Sequence, residues 1–324
     1  EMRRVLGFLA VLSLTAGLPL GSLDRAEAAS TGADAAPAQR AFSTPEEGAA
    51  ALAEAAKSAD QAALLGILGA EAEDLLDSGD PVQDRAALER FAKSYQVAHG
   101  FDRSGEGDGV VVLLTGKDEW PLPIPLVEHD GQWRFDTAAG KEELLSRRIG
   151  RNELAAIEVC RAYAAAQHEY YQRNPEGDAL PHYATKVASS PGKRDGLYWP
   201  PKGDEEPSPL GPLIARARSE GYAEAGEKPI PYHGYLYKIL TAQGANARGG
   251  AYDYMAGDRM IGGFALVASP ADYDSSGVMT FLVNHDDVVF QKDLGPDTAK
   301  QVAEMQTFDP DQTWERVPPG EAEE

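Results

Sequence analysis

From Tyr232 to Gly295 the chain passes through one strand-like segment after another: Tyr235 to Thr241, Phe264 to Ser269, Val278 to Val283 and Val288 to Lys292. β-Branched and aromatic residues fill these runs, and Gly249-Gly250, Ser276-Gly277 and Gly295-Pro296 punctuate them. They predict an antiparallel sheet, which needs a cover for its apolar face. The stretch from Lys141 to Arg173 supplies one. Ile149, Ala156, Ile157, Cys160, Tyr163, Ala164 and Tyr171 fall near one face of a long helix that Asn174-Pro175-Glu176-Gly177 ends.

Upstream, the order of elements is helices first, then strands. Ser43 or Thr44 can cap a helix with Pro45 in its first turn and Glu46 and Glu47 at the positive end of its dipole. Asp60 caps a short second helix, stopped at Gly69. Asp84 caps a third, carrying Leu88, Phe91 and Tyr95. Gly109 to Thr115 reads as a strand. Leu122 to Val127 contains Pro123 and Pro125 and is expected at a sheet edge or a bulge. His129-Asp130-Gly131 is a hairpin turn before Gln132 to Asp136. The fold class is therefore α+β: one α+β domain over 41–137 and a long helix on an antiparallel sheet over 138–317. A Pro-, Gly- and Ser-rich surface loop occupies 174–209, where Leu197-Tyr198-Trp199 is expected to dock on the main body. Residues 318–324 form an acidic tail.

The N-terminus reads as an export signal over 1–28. Arg3-Arg4 precede a broken apolar run from Val5 to Leu20, and Ala26-Glu27-Ala28 fits a small-x-small cleavage site. Residues 29–40 form a disordered tether. The expected location is periplasmic or extracellular, with no stable membrane span after signal removal. Asp+Glu 52 against Lys+Arg 30 gives a formal net charge of -22, which disfavours nucleic acid as a partner. The single cysteine, Cys160, excludes an intramolecular disulfide and a cysteine-based zinc site. On the apolar face of a helix it reads as a buried small hydrophobe.

The segments Phe42-Ser-Thr-Pro-Glu-Glu, Leu76-Asp-Ser-Gly-Asp, Tyr232-His-Gly-Tyr, Lys238-Ile-Leu-Thr-Ala-Gln-Gly, Gly262-Gly-Phe-Ala-Leu-Val-Ala and Gln291-Lys-Asp-Leu-Gly resemble a bacterial family of secreted proteins catalogued as domain of unknown function 2950. That resemblance covers nearly the whole chain after the signal and implies an exported envelope protein with no assigned activity. Asp60-Gln-Ala-Ala-Leu-Leu and Asp130-Gly-Gln-Trp-Arg-Phe-Asp are similar to NTF2-like (cystatin-like cone) domains, which often hold a pocket in a curved sheet. Arg151-Asn-Glu-Leu-Ala-Ala-Ile and the hairpins after it are similar to the soluble part of pseudopilin-like proteins. The prepilin processing site and apolar N-terminal helix half are missing, so only the packing carries over.

Candidate chemistry is sparse. There is no Gly-x-Ser-x-Gly elbow, Walker loop or His-Glu-x-x-His. His233, between Tyr232 and Gly234-Tyr235, is either a general base in a cleft or a turn histidine with a hydrogen-bonding role. Tyr232, His233, Tyr235, Asp253 and Tyr254 are the ligand-binding candidates, either as an aromatic groove for a glycan or as ordinary sheet packing. Asp272, Asp274, Asp286 and Asp287 are weak calcium candidates if neighbouring hairpins bring them together. Asp274 and Asp287 stand where the family resemblance leads one to expect glycine. Trp120, Trp133 and His129 are placed to line a cone pocket. These features describe an exported cell-envelope module for binding or assembly, non-enzymatic and with no cofactor assigned. An envelope protein or glycan is its expected partner. The alternative is a periplasmic hydrolase or a peptidoglycan-binding protein using the Tyr232–His233 region.

Overall fold

The computed structural model describes residues 39–103, 109–203, 205–222 and 230–319. The export signal, nearly all of the tether and the acidic tail beyond Pro319 lie outside the described residues. Helix α1 (Pro45–Ser58) starts where the Thr44 hydroxyl accepts from the Glu47 N–H, and it stops at a left-handed Ala59. Asp60 caps α2 (Gln61–Leu68) by accepting from the Ala63 N–H, and Gly69 ends it. A short α3 (Glu73–Leu76) follows.

The next helix, α4 (Pro81–Val97), departs from expectation. Its cap is Asp80, with Pro81 at the first helical position, and not Asp84. Asp84 lies inside the first turn and reaches back to accept from the Ser78 N–H at 3.0 Å and the Ser78 hydroxyl at 2.6 Å.

Strands β1 (His99–Asp102), β2 (Val110–Thr115), β3 (Trp120–Pro121), β4 (Leu126–His129) and β5 (Gln132–Phe135) make an antiparallel sheet. Its order is β1-β2-β4-β5, with β3 also on β2. The Asp130-Gly131 turn, left-handed at both residues, joins β4 to β5. β3 and β4 both pair with β2, and there Leu122 to Pro125 face only Val112 and Leu113, so the proline segment forms a bulge, one of its two expected places. β4 begins after both prolines and is paired on both sides. The prolines lie in this interruption, where Gly140 lets a helix touch them: a Cβ on Gly140 would collide with the Pro123 carbonyl. Leu52, Leu64, Ile67, Leu126, Trp133 and Phe135 form the core of this half.

Helix α5 (Thr137–Arg173) is 37 residues long, about 55 Å at 1.5 Å per residue. It starts four residues before Lys141 because Asp136 caps it, accepting from the Ala139 N–H. After the loop and α6 (Gly211–Ser219) come β6 (Tyr235–Leu240), β7 (Ala242–Gln243), β8 (Tyr252–Asp253), β9 (Met255–Ala256), β10 (Arg259–Met260), β11 (Ala265–Pro270), β12 (Met279–Asn284) and β13 (Phe290–Asp293). Then come α7 (Thr298–Glu304), β14 (Thr307–Phe308) and β15 (Glu315–Arg316). The main sheet is antiparallel, in the order β15-β13-β12-β11-β6. Every residue of β11 is buried, so both its faces are covered; α5 and α7 both pack against it. Within the loop, Leu197 and Trp199 are buried in the core and Tyr198 packs against it, as expected. By packing, Pro37–Glu324 group as one unit, although the apolar residues gather in two clusters. The α+β class stands.

Candidate functional site

Beside β6, the edge strand of the main sheet, lies a cavity of about 870 Å³. Its apolar walls come from elements far apart in sequence: Val159 and Tyr163 of α5, Leu213 and Ile214 of α6, Trp199 of the loop, Leu236 of β6. The loop from Val187 to Lys202 forms the remaining side. Such a space, mostly apolar and within the ~300–1,000 Å³ range, has the character of a small-molecule pocket. Tyr222 and Tyr232 line one end.

Behind those tyrosines, side chains from both halves of the molecule meet. Asp80, the α4 cap, is fully buried. Its Oδ1 accepts from the Gln83 N–H at 3.2 Å, and its Oδ2 accepts from the Tyr222 hydroxyl at 2.8 Å and the Gly234 N–H at 2.9 Å. The Tyr222 hydroxyl in turn accepts from the His233 N–H at 3.2 Å. His233 and Gly234 are both left-handed, at φ 51° and 71°, and form a tight turn in which Tyr232 and Tyr235 exchange backbone hydrogen bonds. A side chain is excluded at Gly234, because a Cβ there would lie 2.5 Å from Asn152 Nδ2, which donates to the Ser276 carbonyl.

The His233 ring is held between two side chains. Gln83 Nε2 lies 3.0 Å from Nδ1 and donates to it, which puts the ring proton on Nε2, 3.2 Å from Glu220 Oε2. Burial pushes the His233 pKa down against the pull of the Glu220 carboxylate. Burial, then Glu220, pushes the Tyr232 hydroxyl up to about 12. Glu220 Oε2, Tyr232 Oη and His233 Nε2 are buried and close together, yet none makes a hydrogen bond of proper geometry among the described residues. The 3.2 Å His233–Glu220 approach is thus a charge contact rather than an aligned bond.

A family model described as "Protein of unknown function (DUF2950)" matches residues 39–317. The chain belongs to that family. No curated protein and no solved structure matches it. In this DUF2950 chain the sequence-derived candidates separate into groups. Tyr232 lines the cavity's end, and His233 lies behind it, as above. Tyr235 points into the core, its ring fully buried and its hydroxyl donating to the Met279 carbonyl at 2.8 Å. Asp253 and Tyr254 are not with His233. Asp253 is exposed on β8, and the buried Tyr254 donates to Gln243 Oε1 at 3.0 Å. The aromatic row is thus mostly sheet packing.

The calcium candidates do not converge. Asp272 and Asp274 lie at one end of β12, Asp286 and Asp287 at the other. Asp274 and Asp287 are left-handed, at φ 65° and 60°, a conformation that suits glycine. In the first half, Trp133 is in the core, Trp120 is 63% exposed, and His129 is exposed at the β4–β5 hairpin. These three line no common pocket.

Sequence reasoning missed Asp80, Gln83, Glu220 and Tyr222. Asp80-Pro81 is a readable helix start and was the available signal for Asp80. Glu220 and Tyr222, at the end of α6, carry no local mark of their role.

Proposed function

We propose that this protein is an exported binding module of the cell envelope that holds a small, largely apolar molecule in the cavity beside β6. The observation that carries the reading is the cavity itself, about 870 Å³ enclosed mainly by aliphatic and aromatic side chains. Export is supported by Arg3-Arg4, the apolar run after them and Ala26-Glu27-Ala28. Among the described residues no helix is long and apolar enough to cross a membrane. A non-enzymatic role is supported by the surroundings of His233, which faces an amide and a carboxylate rather than a serine or cysteine nucleophile. The helix-then-sheet first half and the long helix on a sheet support the reading of an NTF2-like part followed by a pseudopilin-like part.

The test is a titration with N-phenyl-1-naphthylamine, a neutral apolar fluorophore. Saturable one-to-one binding is expected, with quenching of Trp199 in the cavity wall. Ile214→Trp, which pushes a larger ring into the cavity, weakens it while the melting temperature holds. Absence of saturable binding, or binding indifferent to Ile214→Trp, refutes the proposal.

A further inference from the structure

Strand β6 has an open edge with closed ends. The Ala271 N–H donates to the Gly234 carbonyl at 2.9 Å, and from there the register runs from Tyr235 opposite Pro270 to Leu240 opposite Ala265. In an antiparallel ladder every second residue turns its N–H and C=O to the partner strand. Leu236, Lys238 and Leu240 therefore bond to β11, while Tyr235, Tyr237, Ile239 and Thr241 face away from it. Pro270, which has no N–H to donate, stands at a position that this pattern leaves unbonded. At one end of the outer edge, Tyr235 exchanges backbone hydrogen bonds with Tyr232; at the other, the Thr241 carbonyl accepts from the Tyr254 N–H at 2.8 Å. Between them, Tyr237 and Ile239 hold two N–H and two C=O groups with no partner among the described residues. The strand carries no proline, and its one charged side chain, Lys238, is turned away to donate to the Val302, Ala303 and Met305 carbonyls. Nothing on the strand itself blocks a further strand.

The cavity runs along this gap. Leu236 and Tyr237 are successive and point to opposite faces of the sheet, yet both line it. The space therefore extends past the edge of the five-stranded sheet, where a sixth strand would lie, and not merely over one face. Val159, Leu213 and Ile214 give it apolar walls. A hydrocarbon would fill that space and leave the backbone groups of Tyr237 and Ile239 unmatched. A second copy pairing through its own β6 would bring a second cavity to the edge and fill neither. We infer that the natural occupant is an extended peptide segment that adds to β6 as a short strand, exchanges backbone hydrogen bonds with Tyr237 and Ile239, and sends apolar side chains at alternate positions into the cavity. This rests on the cavity being the binding site and adds the chemical class of what fills it. Alternate residues of a strand lie about 7 Å apart on one face, so the pattern required is two apolar residues with one residue between them.

The experiment is calorimetry on the full chain with acetyl-Ser-Leu-Ser-Leu-Ser-amide, followed by the same peptide with one backbone amide at a time replaced by an ester, which lacks the N–H. Loss of a paired N–H is expected to weaken binding about fivefold. The losses should alternate along the peptide, because only every second N–H faces β6. Changing both leucines to serine should abolish binding, since the cavity is then left empty. Ile239→Pro removes one outward donor but no bond to β11 and no residue of the cavity wall. It should weaken the peptide about fivefold and leave N-phenyl-1-naphthylamine binding unchanged. If that variant fails to fold, the ester series on the unaltered protein still decides. Peptide binding without alternation among the esters, or binding that survives the change to serine, overturns the added strand. Binding of the fluorophore but not of the peptide also overturns it and leaves the apolar site standing. Binding of neither overturns both.

Discussion

Replacing Asp80 should uncouple the two halves of the molecule. Three donors converge on its buried carboxylate, from the Gln83 N–H, the Tyr222 hydroxyl and the Gly234 N–H. Asp80→Ala removes a helix cap, which costs about 1 kcal/mol. It also leaves the Tyr222 and Gly234 donors buried without an acceptor, at about 1–2 kcal/mol each. The expected loss is about 4 kcal/mol, a large share of the ~5–15 kcal/mol that holds a domain together. Asp80→Asn keeps one acceptor oxygen but turns an amide toward one of the three donors, so its loss should be about half as large. Urea unfolding followed by tryptophan fluorescence measures both. Tyr222→Phe completes a double-mutant cycle, in which Asp80 and Tyr222 should show a coupling of about 1 kcal/mol or more. A loss under ~1 kcal/mol for Asp80→Ala, or no coupling to Tyr222, would refute the reasoning that this carboxylate ties the α4 start to the Tyr232–Tyr235 turn.

Other outcomes follow from neighbouring positions. His233 has its pKa depressed by burial, so its neutral form stabilises the fold above the ordinary value of ~6.5, and that stability is lost as pH falls from there through the depressed folded value. His233→Asn, which tolerates the left-handed backbone, should flatten that part of the stability–pH curve; an unchanged curve would show that His233 does not drive it. Gly234→Ala should cost about 3 kcal/mol in urea unfolding, since it combines a left-handed backbone with a Cβ against Asn152; a near-neutral effect would mean that the turn relaxes freely. Burial pushes the Cys160 thiol up to about 12, so it should resist a thiol reagent in the folded protein and react once unfolded; rapid labelling of the folded chain would contradict its buried placement.

Much of the fold was readable because its local signals are strong. Asp60, Asp130-Gly131 and the β-branched runs each fix a local conformation with residues a few positions apart. The failures share one cause, which is that distant partners decided the outcome. Asp84 looks like a cap, but Ser78 claims its carboxylate. His99–Asp102 has little strand propensity and is a strand because β2 pairs with it. The site was the least legible part. Tyr232 and His233 stood out as unusual residues in a turn, yet the partners of His233 come from α4 and the end of α6. The cavity is invisible in principle to local patterns, since it is the space that widely separated residues leave unfilled.

Helix α5 has a consequence for how the chain can be divided. Its first turns serve the N-terminal half: Gly140 touches the Pro123 backbone, Leu144 packs on that cluster, and Arg148 donates to the Asp74 and Leu75 carbonyls. Asn152 clasps the Ser276 carbonyl, and from Ala156 to Tyr170 the same helix fills the second core. There is accordingly no harmless place to cut. A break before Asp136 strips the first half of its cover, and a break after Asn152 strips the second. A fragment that keeps the whole helix carries a naked apolar stripe, inviting aggregation or capture of the missing half. Two such fragments, expressed together, should find each other along α5 and rebuild the protein.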